Sequence, residues 1–109
     1  MANRSITHAQ MVDAISEKAK SIVPPDSEII LFGSQARGDA QSDSDWDVLI
    51  LLNKDRVTGD DIDRYSYPLR EMGWDFDKDI NTILYTKKQW GKESFTPFYK
   101  NVEKEGIRL

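Results

Sequence analysis

Apolar residues recur at spacings of three and four through much of the chain, a pattern that predicts amphipathic helices. The predicted helices lie at residues 7–23, 60–72, 88–95 and 96–106. Thr7 can cap the first helix together with Gln10, and the two prolines after residue 23 prevent the helix from continuing. Thr96 followed by Pro97 is typical of the start of a helix and begins the last one.

The helix predicted over residues 60–72 determines how the middle of the chain is expected to pack. Its apolar face is expected to consist of Ile62, Tyr65, Leu69 and Met72. Gly73 suits the position just past the end of a helix, where glycine is the commonest residue. The helix is therefore expected to end at Met72.

Three short apolar runs interrupt the helical pattern and predict β-strands at residues 28–32, 46–53 and 79–86. The second run is apolar on both faces beyond Asp47, as expected of a central strand covered on both sides. Because strands alternate with helices, the fold class is α/β or α+β, with a small mixed sheet of three or four strands flanked by helices. A chain of 109 residues is expected to form one domain, residues 1–109.

Composition and charge narrow the class of protein. The chain has no cysteine, no apolar stretch long enough to cross a membrane, and no apolar core of a secretory signal in its opening residues, MANRSITHAQ. A cytoplasmic location is therefore expected. The net charge of -4 argues against direct nucleic-acid binding, which needs clustered Lys and Arg, but it is compatible with a nucleotide held through a metal ion.

Two aspartates at the start of the central strand require an electrostatic explanation. Side chains alternate along a strand, so Asp45 and Asp47 share a face with Leu49, whereas Trp46 points to the opposite face. Carboxylates that converge to roughly 4–6 Å repel each other by about 3–4 kcal/mol at an effective dielectric constant near 20. Such a pair takes up a proton, faces open water or binds a divalent cation. Oxygen ligands at neighbouring positions on one face suit Mg²⁺.

A glycine and a serine follow the first predicted strand directly. Gly33 lets a ligand approach the backbone closely, and the amides after it can meet a phosphate at the start of a short helix. The Ser34 hydroxyl can donate to a phosphate oxygen, and Arg37 can pair with a phosphate or with Asp39. Ten residues separate Ser34 from Asp45, so the two groups form a motif with a defined spacing.

The stretches GSQARG and SDSDWDVLI resemble the signature of the minimal nucleotidyltransferases of the DNA polymerase β superfamily, which is Gly-Ser, ten residues and Asp-X-Asp. The resemblance implies the polymerase β-like fold and a site for Mg²⁺, two ions in all, and ATP or another nucleoside triphosphate. It also implies transfer of a nucleoside monophosphate, usually AMP from ATP, to a hydroxyl acceptor. Many relatives pair with a HEPN-domain protein in toxin–antitoxin modules, which is the partner implied here. The sequence also leaves open whether the protein forms a homo-oligomer.

Carried over to this chain, the resemblance assigns Asp45 and Asp47 to the metals as catalytic residues. It assigns Gly33 and Ser34 to the triphosphate. Arg37, one helical turn after Ser34, is added to the expected nucleotide-binding residues because its guanidinium can pair with a phosphate.

The third acid of the family's site is the point where this chain departs from the pattern. The matching position on the next strand holds Asn81, whose amide can bind a metal through its oxygen but carries no charge. Asp79, two residues earlier on the same face, is the expected substitute as a catalytic and metal-binding residue, and Asp77 shares its parity. Three functions stay open: an active nucleotidyltransferase, an antitoxin-like binding module with a degenerate site that neutralises a HEPN-type partner, and a metal-stabilised domain without transfer activity.

Overall fold

The computed structural model describes residues 5–109; residues 1–4, where the segment examined for a secretory signal begins, lie outside the described residues. The described part of the chain forms a four-stranded sheet and five helices. In chain order the elements are α1 (His8–Ile22), β1 (Glu28–Phe32), α2 (Ser34–Arg37), β2 (Trp46–Leu52), α3 (Gly59–Asp75), β3 (Ile80–Thr86), α4 (Lys87–Lys92), α5 (Pro97–Glu105) and β4 (Ile107–Arg108). Between residues 5 and 109, no helix has both the length and the hydropathy of a membrane-spanning segment.

Side chains that replace missing backbone partners determine where the helices begin. Thr7 and Gln10 form the predicted capping box of α1, in which each side chain accepts a hydrogen bond from the backbone N–H of the other. Thr96 caps α5, since its hydroxyl accepts the Tyr99 N–H at 3.1 Å. The bounds predicted for α1, β1 and β2 agree with the structure to within one residue.

The sheet order is β3-β2-β1-β4, which places β2 between β1 and β3. Strand β2 pairs antiparallel with β1 and parallel with β3, so the expected small mixed sheet is confirmed. The parallel pair requires a crossover, which α3 supplies. In this register Asp47 lies beside Phe32 at the end of β1 and beside Asn81 on β3. The residues that follow β1 and those that begin β3 therefore flank Asp47 on opposite sides.

The two faces of the sheet are covered by different helices. One face carries Trp46, Val48, Ile50 and Leu52 against α1 and α3, and the other carries Leu49 and Leu51 against Trp90 of α4 and Val102 of α5. This alternation confirms that β2 is a central strand covered on both sides. A shift of β2 by one residue would turn its aspartates toward the core and its apolar side chains toward the solvent. Burial of the apolar side chains therefore also fixes the position of Asp47.

The end of α3 differs from the prediction, because the helix continues past Met72 to Asp75. Gly73 lies inside the helix, and a Cβ atom there would come within 2.8 Å of the Lys78 carbonyl oxygen and 3.0 Å of Ile80 Cγ1. The last turn of α3 packs against the residues that lead into β3. Glycine at position 73 therefore permits close packing and does not end the helix.

The apolar face of α3 is also displaced from the predicted one. Tyr65 is buried as expected, but Ile62 is 49% exposed and Asp61 is buried instead. The Asp61 carboxylate accepts hydrogen bonds from the Thr58 N–H at 2.9 Å and from Lys54 Nζ at 2.7 Å. The first turn of α3 thus buries a capping carboxylate in place of an isoleucine, because the carboxylate has partners that satisfy it.

Two short elements near the C-terminus were predicted less well. Helix α4 ends at Lys92, three residues before the predicted end, and Thr96 begins α5 soon afterwards. Strand β4 contains only Ile107 and Arg108 and pairs with the edge of β1. Two residues are too few to produce a periodic signal, so the sequence did not predict this strand.

Candidate active site

Asp45 and Asp47 stand side by side at the start of β2, on the face that their spacing predicted. Trp46 between them is 3% exposed and packs in the core on the opposite face of the sheet. Asp45 is exposed and Asp47 is half-buried. The buried indole therefore holds the strand in register while the two carboxylates meet at the rim of the sheet.

Asn81 joins the two carboxylates. Its Nδ2 donates to Asp45 Oδ2 at 2.9 Å and lies 3.4 Å from Asp47 Oδ1, to which it also donates. The parallel register of β2 and β3 places Asn81 beside Asp47, so this contact follows directly from the strand pairing. The amide supplies hydrogen-bond donors but no positive charge, so it offsets the repulsion between the carboxylates only in part.

The electrostatic surroundings of Asp47 disfavour its charged form. Burial raises the pKa of Asp47 above its usual value and the negative charge of Asp45 raises it further, against the opposing effects of the Asn81 hydrogen bond and the positive charge of Arg37. The ionised carboxylate is thus short of positive partners. A cation beside it would reverse this balance, because an adjacent positive charge lowers the pKa of a carboxyl group.

The turn after β1 brings the backbone directly against Asp47. Gly33 has a φ of +77°, and a Cβ atom on it would collide with Asp47 Oδ2, so both conformation and space require glycine. The Gly33 carbonyl accepts the N–H groups of Ala36 and Arg37, each at 3.0 Å, and α2 begins at Ser34. The two amides before these, of Ser34 and Gln35, donate to no backbone carbonyl of residues 5–109, so they stay available to an anion next to the aspartate pair.

Arg37 lies at the end of α2 and pairs with one exposed and one half-buried carboxylate. Its Nε is 3.3 Å from Asp39 Oδ2, which is one of the two pairings that the sequence offered, and its Nη1 is 3.8 Å from Glu105 Oε1. Surface ion pairs of this kind contribute little to stability, so a phosphate can replace them at small cost.

The three candidates for the third-acid position are placed differently. Asn81 contacts the aspartate pair directly. Asp79 accepts the Trp46 N–H at 2.9 Å through its backbone carbonyl, and it lines a cavity of about 310 Å³ together with Asp45 and Asn81. Asp77 occupies the turn between α3 and β3 with a φ of 59° and does not line this cavity. Within residues 5–109, no three His, Cys, Asp or Glu side chains are grouped so as to hold a metal ion.

The donor set at the rim nevertheless fits Mg²⁺. This ion usually takes one or two carboxylates from the protein and keeps water or substrate phosphate oxygens as its other ligands. Asp45 and Asp47 supply two carboxylates that already converge on one point, the Asn81 amide nitrogen. Burial and the charge of Asp45 raise the pKa of Asp47, and a cation bound beside it would oppose both effects.

Two residues outside the predicted site also line this cavity. Arg70 and Trp74, from the last two turns of α3, line it together with Asp45, Asp79 and Asn81. The parallel crossover returns the end of α3 to the rim where β2 and β3 begin, and no spacing in the sequence reveals that return. Trp74 lies two residues past the predicted end of the helix, so the available signal was a tryptophan in a segment between two predicted elements.

Comparison with known families gives one result. A family model described as a nucleotidyltransferase domain matches residues 12–109, which contain Gly33, Ser34, Asp45, Asp47 and Asn81. Comparison with curated proteins and with solved structures gives no significant match. The match agrees with the resemblance carried by the Gly-Ser and Asp-X-Asp motif and with the α+β fold. The chain therefore belongs to the nucleotidyltransferase domain family.

Proposed function

We propose that this protein is a Mg²⁺-dependent nucleotidyltransferase that transfers AMP from ATP to a hydroxyl acceptor. Membership of the family supports nucleotidyl transfer in general. The observation that carries the finer proposal is the convergence of Asp45 and Asp47 beside the Gly33 turn. Two carboxylates next to available backbone amides suit a nucleotide whose phosphates arrive with a cation.

In this proposal Asp45 and Asp47 hold the metal, and Asp79 supplies a third carboxylate from the shared cavity for a second ion. Bound Mg²⁺ would neutralise charge on the phosphates and favour deprotonation of the attacking hydroxyl. The hydrogen bonds from Asn81 keep the two carboxylates together before a cation arrives. Burial of Asp47 makes its charged form more favourable with a cation than without one.

The turn after β1 binds the triphosphate in the same proposal. The amides at the start of α2 and the Ser34 hydroxyl donate hydrogen bonds to phosphate oxygens. Arg37 exchanges its partners Asp39 and Glu105 for a phosphate. The absence of a side chain at Gly33 lets the phosphates lie close to Asp47. Pyrophosphate then leaves on the β1 side of the site.

The test is incubation of the protein with α-labelled ATP, Mg²⁺ and, as a candidate acceptor, the protein encoded beside it. Labelled acceptor and free pyrophosphate are expected, and both should disappear in the Asp45→Asn, Asp47→Asn double variant. The matched control is Asp43→Asn with Asp55→Asn, which removes the same charge from two exposed positions outside the site. Label that survives in the double variant of the site would contradict the proposal.

Asn81 supports a second candidate function. A neutral amide replaces the third acid, and its hydrogen bonds already satisfy the aspartate pair in part without a metal. We therefore keep the proposal of an antitoxin-like binding module with a degenerate site, which neutralises a HEPN-domain partner by covering it. In that case no label appears, and the double variant of the site still binds and neutralises the partner. Loss of the complex in that variant would count against this function.

A further inference from the structure

We propose that the cavity beside β3 is the acceptor subsite, in which Arg70 and Trp74 select a hydroxyl-bearing group with a planar ring next to an anion. The inference rests on the proposed nucleotidyl transfer and adds to it the place and the chemistry of the acceptor. It concerns two residues of α3 to which neither the motif nor the proposed mechanism gives a role.

The cavity adjoins the aspartate pair. It has a volume of about 310 Å³ and is lined by Asp45, Arg70, Trp74, Asp79, Ile80 and Asn81. Close packing at Gly73 presses the last turn of α3 against the start of β3, which holds Arg70 and Trp74 near the rim. A group bound between α3 and β3 would therefore lie next to Asp45, one of the two residues proposed to hold the metal.

The stereochemistry of transfer places the acceptor on the β3 side of the aspartate pair. The acceptor oxygen forms a bond to the α-phosphorus, the bond from that phosphorus to the bridging oxygen breaks, pyrophosphate leaves, and the hydroxyl proton passes to solvent. Attacking and leaving oxygens lie roughly in line on opposite sides of the phosphorus. The Gly33 turn, proposed to hold the leaving phosphates, follows β1, and β1 and β3 flank β2 on opposite sides. The attacking oxygen must then arrive from the β3 side, where the cavity lies.

The side chains of the cavity indicate the chemistry of its ligand. Trp74 is 51% exposed, whereas Trp46 and Trp90 are 3% and 4% exposed. Its ring lies nearly perpendicular to that of Tyr67, at a centroid distance of 6.4 Å and an angle of 89°, and the exposed part of the indole is available for stacking. Arg70, four residues earlier on the same side of the helix, makes no ion pair within residues 5–109. In the proposed function Asp45 and Asp79 bind Mg²⁺, so the charge left for a ligand is the free guanidinium of Arg70. A free guanidinium beside an exposed indole suits an anion attached to a planar ring.

A matched pair of probes tests this chemistry. 4-(Hydroxymethyl)benzoate and 4-(hydroxymethyl)benzylamine share the ring and the hydroxyl group and differ in the sign of their charge. Binding to the full chain with Mg²⁺ is followed through the indole N–H signals of the three tryptophans in ¹⁵N NMR spectra, with Trp74→Phe identifying one of them. We expect the Trp74 signal to shift and the benzoate to bind about tenfold more tightly than the amine.

Arg70→Glu should reverse that preference, because it reverses the charge at position 70 while Trp74 still stacks on the ring. Arg56→Glu is the control, since it makes the same change at an exposed position before α3. Equal affinities for the two probes, a preference that Arg70→Glu leaves unchanged, or shifts confined to Trp46 and Trp90 would each overturn the proposal.

A second measurement separates the acceptor from the nucleotide. Trp74→Ala should keep the rise in melting temperature that Mg²⁺ and ATP produce, and it should lower transfer of α-label. Loss of that rise in the variant would show that the cavity holds the nucleoside and would overturn the acceptor assignment. No rise in the unaltered protein would refute the proposed function, while the probe measurement would still decide whether the cavity binds an anionic ring.

The molecule that becomes labelled identifies the source of the acceptor group. Label on the free benzoate, lost in Arg70→Glu, supports a small-molecule acceptor. Label only on the neighbouring protein, again lost in Arg70→Glu, supports an acceptor group on a partner. Label that neither Arg70→Glu nor Trp74→Ala reduces overturns the proposal.

Discussion

The fold gives opposite electrostatic surroundings to two aspartates near the starts of consecutive elements, Asp47 of β2 and Asp61 of α3. Asp61 is 5% exposed and accepts hydrogen bonds from Lys54 Nζ and from the Thr58 N–H. Lys54 and Thr58 lower the pKa of Asp61 below its usual value, whereas burial and the charge of Asp45 raise the pKa of Asp47. Asp61 forms an ion pair with Lys54, whereas Asp47 forms none within residues 5–109.

The difference separates a structural carboxylate from one that is available to a ligand. Loss of hydration disfavours a carboxylate unless hydrogen bonds or a cation compensate for it, and at Asp61 the chain supplies both. At Asp47 it supplies the Asn81 amide and a second negative charge, and the Gly33 backbone closes one flank. A half-buried carboxylate without an ion pair, next to the cavity that Asp45 lines, is the pattern expected of a functional site. Substitutions at the two aspartates should therefore divide between loss of activity and loss of stability.

The largest effect is expected from Asp47→Asn. Nucleotidyl transfer should fall by about 10²–10³-fold, since the variant lacks one of the two carboxylates proposed to hold the metal where charge develops in the transition state. The free energy of unfolding without metal should rise at neutral pH. A carboxyl whose pKa is higher in the folded state destabilises the fold once ionised, and the neutral amide removes that effect. Label transfer and urea unfolding provide the two readouts. A variant that is less stable and equally active would make Asp47 a structural residue like Asp61.

Gly33→Ala should have the next largest effect, and this effect is steric and not electrostatic. The free energy of unfolding should fall by about 3 kcal/mol, because the alanine meets both an unfavourable φ and the Asp47 carboxylate. Gly38→Ala is the matched control: φ there is +89°, but no atom lies within 4 Å of an added Cβ. It should cost about 1 kcal/mol from the backbone alone. Equal losses in urea unfolding would refute the close approach of Asp47 to the Gly33 turn.

Asn81→Asp makes the site around Asp47 still more acidic and so tests whether charge at position 81 controls metal binding. Without metal, the melting temperature should fall by a few degrees, because three carboxylates then meet at the rim. Mg²⁺ affinity, measured from the rise in melting temperature with Mg²⁺ concentration, should increase about tenfold. Asn81→Ala removes the bridging hydrogen bonds without adding charge, so it should lack the gain in affinity. A gain in both variants, or in neither, would show that charge at position 81 does not control metal binding.

Local patterns predicted the helices and strands that carry the site, and tertiary contacts decided what they missed. Alternation along β2 predicted the common face of Asp45 and Asp47, because the apolar run fixed its register. The exchange of Ile62 for Asp61 at the buried position of α3 depends on Lys54, a partner outside the helix. Arg70 was not selected, because its place beside Asp45 arises only when α3 crosses from β2 to β3.

Asp61→Asn tests the structural side of the comparison and should have the smallest effect. The variant should lose about 1 kcal/mol of stability at neutral pH and keep its transfer activity. The pKa of Asp61 is lower in the folded state than in the unfolded one, so its stabilising effect is complete above about pH 4 and disappears as pH falls through the folded-state value. The difference from the unaltered protein in urea unfolding should therefore shrink on acidification. Asp60→Asn, at a neighbouring exposed residue paired with Arg64, should change stability little at any pH. A loss in Asp61→Asn that is the same at pH 7 and pH 3 would mean that Asp61 acts through its shape and hydrogen bonds, and that its contrast with Asp47 is not one of charge.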